Sequence, residues 1–319
     1  MKSPTARAPF PLLGAYAMAP ADPDQAADFY RALASEQIGG LEIPVPDAPL
    51  DSAAVELISS RLQPGWRVML TAIPGVMGRL GAEPAYGLAS TDGDSRAHAL
   101  ADVARAVDLA HRLADVHGES RVAAIEVHSA PGPMRGGGDA LARSLEAIAG
   151  WDLAGSQILL EHCDALVTGQ AAAKGFLTLE EEIAAIRAAG SPDSLGIAIN
   201  WGRSAIEMRD SRAPVGHVSA ASRAGLLRAV VLSGASDQDS PWGGAWGDAH
   251  IPPSGADAAL AASSASLLDD DAMAETLADA GPEALLAVKV SVRPTDASVA
   301  QRVAVARAVL NQVESHRVS

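Results

Sequence analysis

The chain has 319 residues, 48% of them hydrophobic and 3% aromatic, with a formal net charge of -15. That acidity argues against a nucleic-acid partner or an anionic membrane, because both demand a basic face. No apolar run approaches the roughly 20 residues of a membrane span, and the lone cysteine, Cys163, rules out an intramolecular disulfide and suits a reducing cytoplasm. The opening residues MKSPTARAPFPLL lack the apolar stretch of a signal peptide, so a cytoplasmic protein is expected. The length is slightly above the roughly 250 residues usual for one barrel, so one domain over residues 1–319 is the simplest count.

Eight strand-type runs follow one another along the chain: LLGAYAMAP from Leu12, GGLEIPV from Gly39, RVMLTAIP from Arg67, RVAAIEVHSAP from Arg121, SQILLEHCDAL from Ser156, LGIAINWGRS from Leu195, LLRAVVLSGAS from Leu226 and LLAVKVSVRP from Leu285. Helical patterns separate them. They cover Asp24–Glu36 after Pro23, Asp51–Leu62 before Pro64 and Gly65, Ser95–Val116, Ala140–Ala149 and Val299–Val313. Thr178-Leu-Glu-Glu181 reads as a capping box opening a helix that ends near Gly190. Residues 204–225 are less regular, with one short helix expected near Ser219–Arg223. The segment 235–256, rich in Gly, Ser, Pro and Trp, reads as an enlarged loop after strand seven, the kind of loop that carries function. Alternating strands and helices predict an α/β fold, a single (β/α)8 TIM barrel, whose active site lies at the C-terminal ends of the strands.

Side chains alternate along a strand, so one parity faces the barrel interior and the other faces the helices. In strand eight Val288, Val290 and Val292 belong against helices, which turns Lys289 and Ser291 inward. The same alternation turns Glu42, Glu126, His128, Glu161 and Asn200 inward, and with Thr71 and Ser233 they converge on one mouth. Buried charges are costly unless paired or used, so this ring reads as a site. The loops contribute further candidates. Trp201, Trp242 and Trp246 offer flat apolar faces suited to sugars; Asp248 and His250 in GAWGDAHIPP are placed for acid/base work; Arg203 suits an anionic group.

At strands four and five, VHSAPGPMRGGGDALARSLEAIAGWDLAGSQILLEHCDA resembles the corresponding stretch of the xylose isomerase-like barrel superfamily, in its sugar isomerase/epimerase-type branch. The resemblance is sharp over about 121–182. It implies that His128 matches the family's strand-four histidine and Glu161 its strand-five glutamate, a metal ligand and acid/base. The remaining metal positions depart from the pattern: Asn200 with Arg203, Ser233 and Lys289 stand where the family presents Asp and His, His or Asp, and Glu. No metal site or cofactor is therefore expected, although His250, Asp248 or His217 leave room for a divalent ion held from loops.

The resulting expectation is a cytoplasmic enzyme acting on a small-molecule carbohydrate-type ligand by acid/base proton transfer next to a carbonyl. Glu161 is one acid/base, His250 or Glu126 the other, and Lys289 polarises the substrate oxygen. Glu42, His128, Asn200, Trp201, Arg203, Trp242, Trp246 and Asp248 bind substrate. The alternatives are a metal-dependent sugar isomerase with ligands from loops, a non-catalytic carbohydrate-binding barrel, and a lyase or a hydrolase using Glu126 with Glu161. A homo-oligomer is compatible with the sequence.

Overall fold

The computed structural model describes residues 10–47 and 49–317. The opening residues 1–9, read above as lacking a signal peptide, lie outside the described residues. Eight parallel strands close into a barrel in sequence order: β1 (Leu12–Leu13), β2 (Gly40–Pro44), β3 (Arg67–Thr71), β4 (Val122–Val127), β5 (Gln157–His162), β6 (Leu195–Asn200), β7 (Leu227–Leu232) and β8 (Leu285–Val288). Pairing of Leu12 with both Gly40 and Ala287 completes the circle. The expected (β/α)8 barrel is the observed fold.

Among the described residues ten α-helices surround it: α1 (Pro23–Leu33), α2 (Ser52–Ser60), α3 (Ile73–Ala82), α4 (Gly93–His117), α5 (Gly138–Ala149), α6 (Leu179–Ala188), α7 (Trp201–Met208), α8 (Ala213–Arg223), α9 (Asp270–Ala280) and α10 (Val299–Arg317). The capping box at the start of α6 is formed in both directions between Thr178 and Glu181. Four of these helices depart from the sequence pattern. In α3, Pro74 at the first turn and three glycines mask the helical period, although proline is tolerated there. Residues 201–223 form two helices, α7 and α8, rather than one short one, because α7 starts at the strand's last residue with Asn200 as its N-cap. For α9 the start signal is Asp269, whose side chain accepts from the Ala272 amide. No helix among the described residues is long and apolar enough to cross a membrane.

The barrel interior explains how the polar ring is positioned. Leu12, Met69, Ala124, Leu159, Ala198, Ala229, Val231 and Ala287 form one apolar cluster inside the barrel. Advancing two residues from these positions along six of the strands gives Thr71, Glu126, Glu161, Asn200, Ser233 and Lys289, as a period of two requires. The opposite parity, including Ile125, Ile158, Ile197, Val230 and Val288, joins the larger core between the strands and the helices. An apolar floor thus carries a polar layer one step nearer the mouth.

Leu159 is one of the two fully buried leucines of that floor. We expect Leu159→Ala to lower unfolding free energy by about 2–5 kcal/mol, measured by urea denaturation, since its neighbours sit on strands that cannot collapse into the void.

Candidate active site

Glu161 is the hub of the mouth. Its Oε1 accepts from Asn200 Nδ2 at 2.9 Å, and its Oε2 accepts from Arg203 Nη1 at 3.0 Å and from His128 Nε2 at 2.7 Å. Burial alone raises a carboxyl pKa, but here the Arg203 and Lys289 charges and the His128 hydrogen bond hold Glu161 well below the usual carboxylate range. It is ionised. Burial keeps His128 neutral, so Nε2 carries the proton given to Glu161, and Nδ1 has no hydrogen-bond partner among the described residues.

Lys289 follows β8 directly and its Nζ lies 2.7 Å from Glu42 Oε1. The Tyr16 hydroxyl donates to the same oxygen at 3.2 Å, and the Tyr16 ring lies 5.5 Å from the ammonium. Burial works against the Lys289 charge, but Glu42 and Glu161 more than restore it and hold the ammonium protonated. Gly14 packs closely beside this pair: a Cβ there would stand 3.1 Å from both Glu42 Oε2 and Lys289 Cγ, so either side chain would have to give by a few tenths of an ångström.

Glu126 is different. Both its oxygens are buried without a hydrogen-bond partner among the described residues. Burial first, then the charges of Glu161 and Glu42, push its pKa well above the usual value, so it is protonated beside an ionised Glu161. Thr71, also inward and fully buried, likewise has an unpartnered hydroxyl oxygen.

The loop after β7 is stitched across the mouth. Gly234 and Ile251 pair as an antiparallel bridge, the Ser291 amide donates to His250 O at 2.7 Å, and Trp242 Nε1 donates to Ser291 Oγ at 2.8 Å. This delivers Asp248 to Arg203 Nε at 3.5 Å and to Lys174 Nζ at 3.0 Å. Those cations hold the Asp248 carboxyl far below its ordinary value despite burial. His250 Nδ1 lies 2.9 Å from Ser233 Oγ and 3.6 Å from Asp248 Oδ1, and burial lowers its pKa to about 4. Trp246 (φ 60°) and His250 (φ 54°) both occupy the left-handed region, which few bulky residues adopt unless their surroundings impose it.

Glu42, Glu126, His128, Glu161, Asn200, Arg203, Asp248, His250 and Lys289 are thus brought together. Four of the predicted residues make contacts that the sequence does not show. Trp201 turns away: its indole Nε1 donates to Thr276 Oγ1 on α9 at 3.1 Å, within the layer between strands and helices. Trp242 and Trp246 brace the loop, the first on Ser291 and the second under the Arg209 guanidinium at 5.5 Å. Arg203 is already engaged as counter-ion to Glu161, and its Nη1 also reaches Cys163 Sγ at 2.8 Å. Tyr16 and Lys174 were missed. Tyr16 lies beyond the end of β1, in a single 3-10 turn over Ala15–Ala17 where the strand period of two no longer applies, and nothing in the local pattern marks Lys174.

Beside the ring, a cleft of about 510 Å³ opens between the ends of β2–β4 and helices α3 and α4, lined by Val45, Asp47, Tyr86, Asp102 and His128 among others. His128 is the one ring residue in its lining. Elsewhere the ring is sealed: Glu126, Glu161, Asn200 and Lys289 are all 0% exposed.

Two donor groups among the described residues are spaced to share one ion: His128, Glu161 and Cys163 in the mouth, and His162, Glu207 and His217 outside the barrel. The first does not fit a divalent cation. Arg203 Nη1 already occupies Glu161 and Cys163, and burial raises the Cys163 pKa well above normal, keeping it a thiol rather than the thiolate that metals require.

A family model described as a domain of unknown function, DUF4862, matches residues 12–305. The chain belongs to this family. It is 35% identical over 252 residues to the uncharacterized protein STM3670 of Salmonella typhimurium, covering 76% of this chain and 77% of that one. Among solved structures, D-psicose 3-epimerase with D-tagatose from Clostridium cellulolyticum H10 aligns with a TM-score of 0.60 at 14% identity, over 96% of this chain and 98% of that one. The IolI protein with a zinc atom aligns with a TM-score of 0.56 at 12% identity, over 96% and 95%. The fold is that of xylose isomerase-like TIM barrels, as the stretch over β4 and β5 implied.

Two outcomes test this electrostatic picture. Arg203→Met should cost about 3–5 kcal/mol of stability, because it strands a buried carboxylate, and adding Glu161→Gln should recover part of it in a double-mutant cycle. Asp248 has a depressed folded pKa, so its stabilisation is present above its unfolded value of about 3.9 and lost as pH falls through the folded one. The stability gap between wild type and Asp248→Asn should therefore be full at pH 7 and shrink as the pH falls below about 4.

Proposed function

We propose that the chain is an enzyme that epimerises or isomerises a sugar or sugar derivative by moving a proton at the carbon next to a carbonyl. The observation that carries this reading is the unequal partnering of two buried carboxyl groups: Glu161 is held by Asn200, Arg203 and His128, and Glu126 has no hydrogen-bond partner among the described residues. That difference favours an ionised Glu161 beside a neutral Glu126, the pair that proton abstraction and return require. Ionised Glu161 takes the proton from carbon, and neutral Glu126 supplies one to the carbon or its oxygen. The resting contacts of Glu161 with Asn200 and Arg203 lower its basicity; substrate oxygens that take over those donors restore it. Lys289 and Arg203 then face the oxygen on which charge develops, in a buried site where such charges act strongly.

On this reading the substrate is a small, polyhydroxylated carbonyl compound. Glu42, Asn200, Asp248 and Tyr16 supply hydrogen-bonding groups for hydroxyls, and the cleft lined by His128 is the approach to them from the surface. Breaking the Asp248 pairs with Arg203 and Lys174 releases the loop and widens the mouth. The likeness to sugar epimerases supports the class, and the ammonium and guanidinium replace a divalent ion in the mouth: with Glu126 neutral, the carboxylates Glu42, Glu161 and Asp248 face the cations Lys289, Arg203 and Lys174.

The test is solvent exchange. Wild-type protein incubated with a panel of ketoses and aldoses in heavy water should place deuterium at the carbon beside the carbonyl of one sugar and form its epimer or isomer, followed by proton NMR. Glu161→Gln and Glu126→Gln should each lower that rate by about 10²–10⁴-fold with the circular dichroism unchanged. Binding of a sugar with no exchange in the wild type would assign the barrel to binding instead.

A further inference from the structure

A second cluster lies on the other side of the β5 wall, at the residue after Glu161. His162 faces outward into the layer between strands and helices, fully buried, with Nδ1 2.8 Å from Glu182 Oε2 on α6 and Nε2 3.0 Å from Glu207 Oε2 on α7. Glu182 is itself fixed by the Ser129 hydroxyl, which donates to Oε1 at 2.5 Å. From α8, His217 brings a second imidazole edge-on to the first, with centroids 4.9 Å apart, and its Nδ1 is held at 3.0 Å by Ser204 Oγ. Four elements thus converge on one point.

We propose that His162, Glu207 and His217 form a binding site for a zinc-type divalent ion, separate from the barrel mouth and independent of the proton-transfer reading. Their donor atoms lie within 4.8 Å of one another. Two ligands of a tetrahedral ion with bonds of about 2.0–2.1 Å stand about 3.3 Å apart, so the 3.0 Å contact between His162 Nε2 and Glu207 accepts an ion with a shift of a few tenths of an ångström. The outer partners are those that metal-binding histidines use: a carboxylate on the far nitrogen of one ring and a hydroxyl on the far nitrogen of the other, each fixing ring and tautomer. A clamped imidazolium would account for Glu182 and Glu207; the second imidazole, anchored separately by Ser204, adds a third donor atom within 4.8 Å of the other two. Glu207 is 8% exposed and His217 is only partly buried, so an ion reaches the site from the surface beside α7 and α8 and keeps one position for water. Two imidazoles and one carboxylate favour zinc over magnesium or calcium. Bound there, the ion would tie α7, which carries Arg203, and α8 to the barrel wall.

The experiment uses the full chain, stripped with a chelator and then titrated with zinc alone against a chromophoric competitor, with metal analysis after dialysis. Wild type and Glu161→Gln should each hold one zinc per chain. His217→Ala, His217→Gln and Glu207→Gln should lose stoichiometric uptake with the far-ultraviolet circular dichroism retained, and Glu182→Gln should bind about 10–100-fold more weakly. Cobalt(II) in the wild type should give the absorption of a four-coordinate ion, absent from either His217 variant. Folded wild type that takes up no zinc, uptake unchanged in both His217 variants, or uptake abolished by Glu161→Gln would each overturn the proposal.

Discussion

A buried barrel mouth does not hold an unbalanced charge without cost, and that constraint organises the site. Four carboxyl groups come close to one another at the strand ends, and Coulomb repulsion at short range in a poorly screened interior is severe. The chain resolves it in two ways. Lys289 takes Glu42, Arg203 takes Glu161, and Lys174 takes Asp248, while burial and the neighbouring carboxylates push the pKa of Glu126, which has no hydrogen-bond partner among the described residues, well above its usual value. The same balance that lets the barrel fold therefore leaves one neutral acid beside one ionised carboxylate.

Much of this was legible because the strand period of two is rigid. Once Val288 and Val290 were assigned to the helix side, Lys289 had to point inward, and parallel reasoning placed Glu126, Glu161 and Asn200. The pairing inside the ring was not legible. Lys289 could have met any of three glutamates, and only the three-dimensional placement of β1 and β2 joins it to Glu42 and Tyr16. The Arg203–Glu161 pair was not legible either, because sequence spacing sets where the Arg203 backbone starts and says nothing about its side chain reaching back to Glu161. Trp201 misled for a related reason. It follows the strand's last inward residue, so its parity points out toward α9, and its closeness to the mouth in sequence is no guide to its direction.

The helices that the pattern hid are those whose starts coincide with other features. The α7 helix begins where β6 ends, with Asn200 serving at once as a ligand of Glu161 and as the cap accepting the Arg203 amide. That double use makes the start of α7 part of the site: any shift of the helix moves Asn200 and Arg203 together. Beyond the wall, Glu207 near the other end of the same helix pairs with His162. Consecutive residues of β5, Glu161 and His162, thus grip opposite ends of α7 from the two faces of the sheet.

The central claim is that Glu126 is protonated at neutral pH while Glu161 is not. Infrared difference spectroscopy between the wild type and Glu126→Gln reads this directly, since a protonated carboxyl has a carbonyl band separate from that of a carboxylate. We expect the substitution at pH 7 to remove a protonated-carboxyl band, and Glu161→Gln to remove carboxylate intensity instead. Loss of carboxylate intensity in Glu126→Gln, with no protonated band missing, would contradict the account.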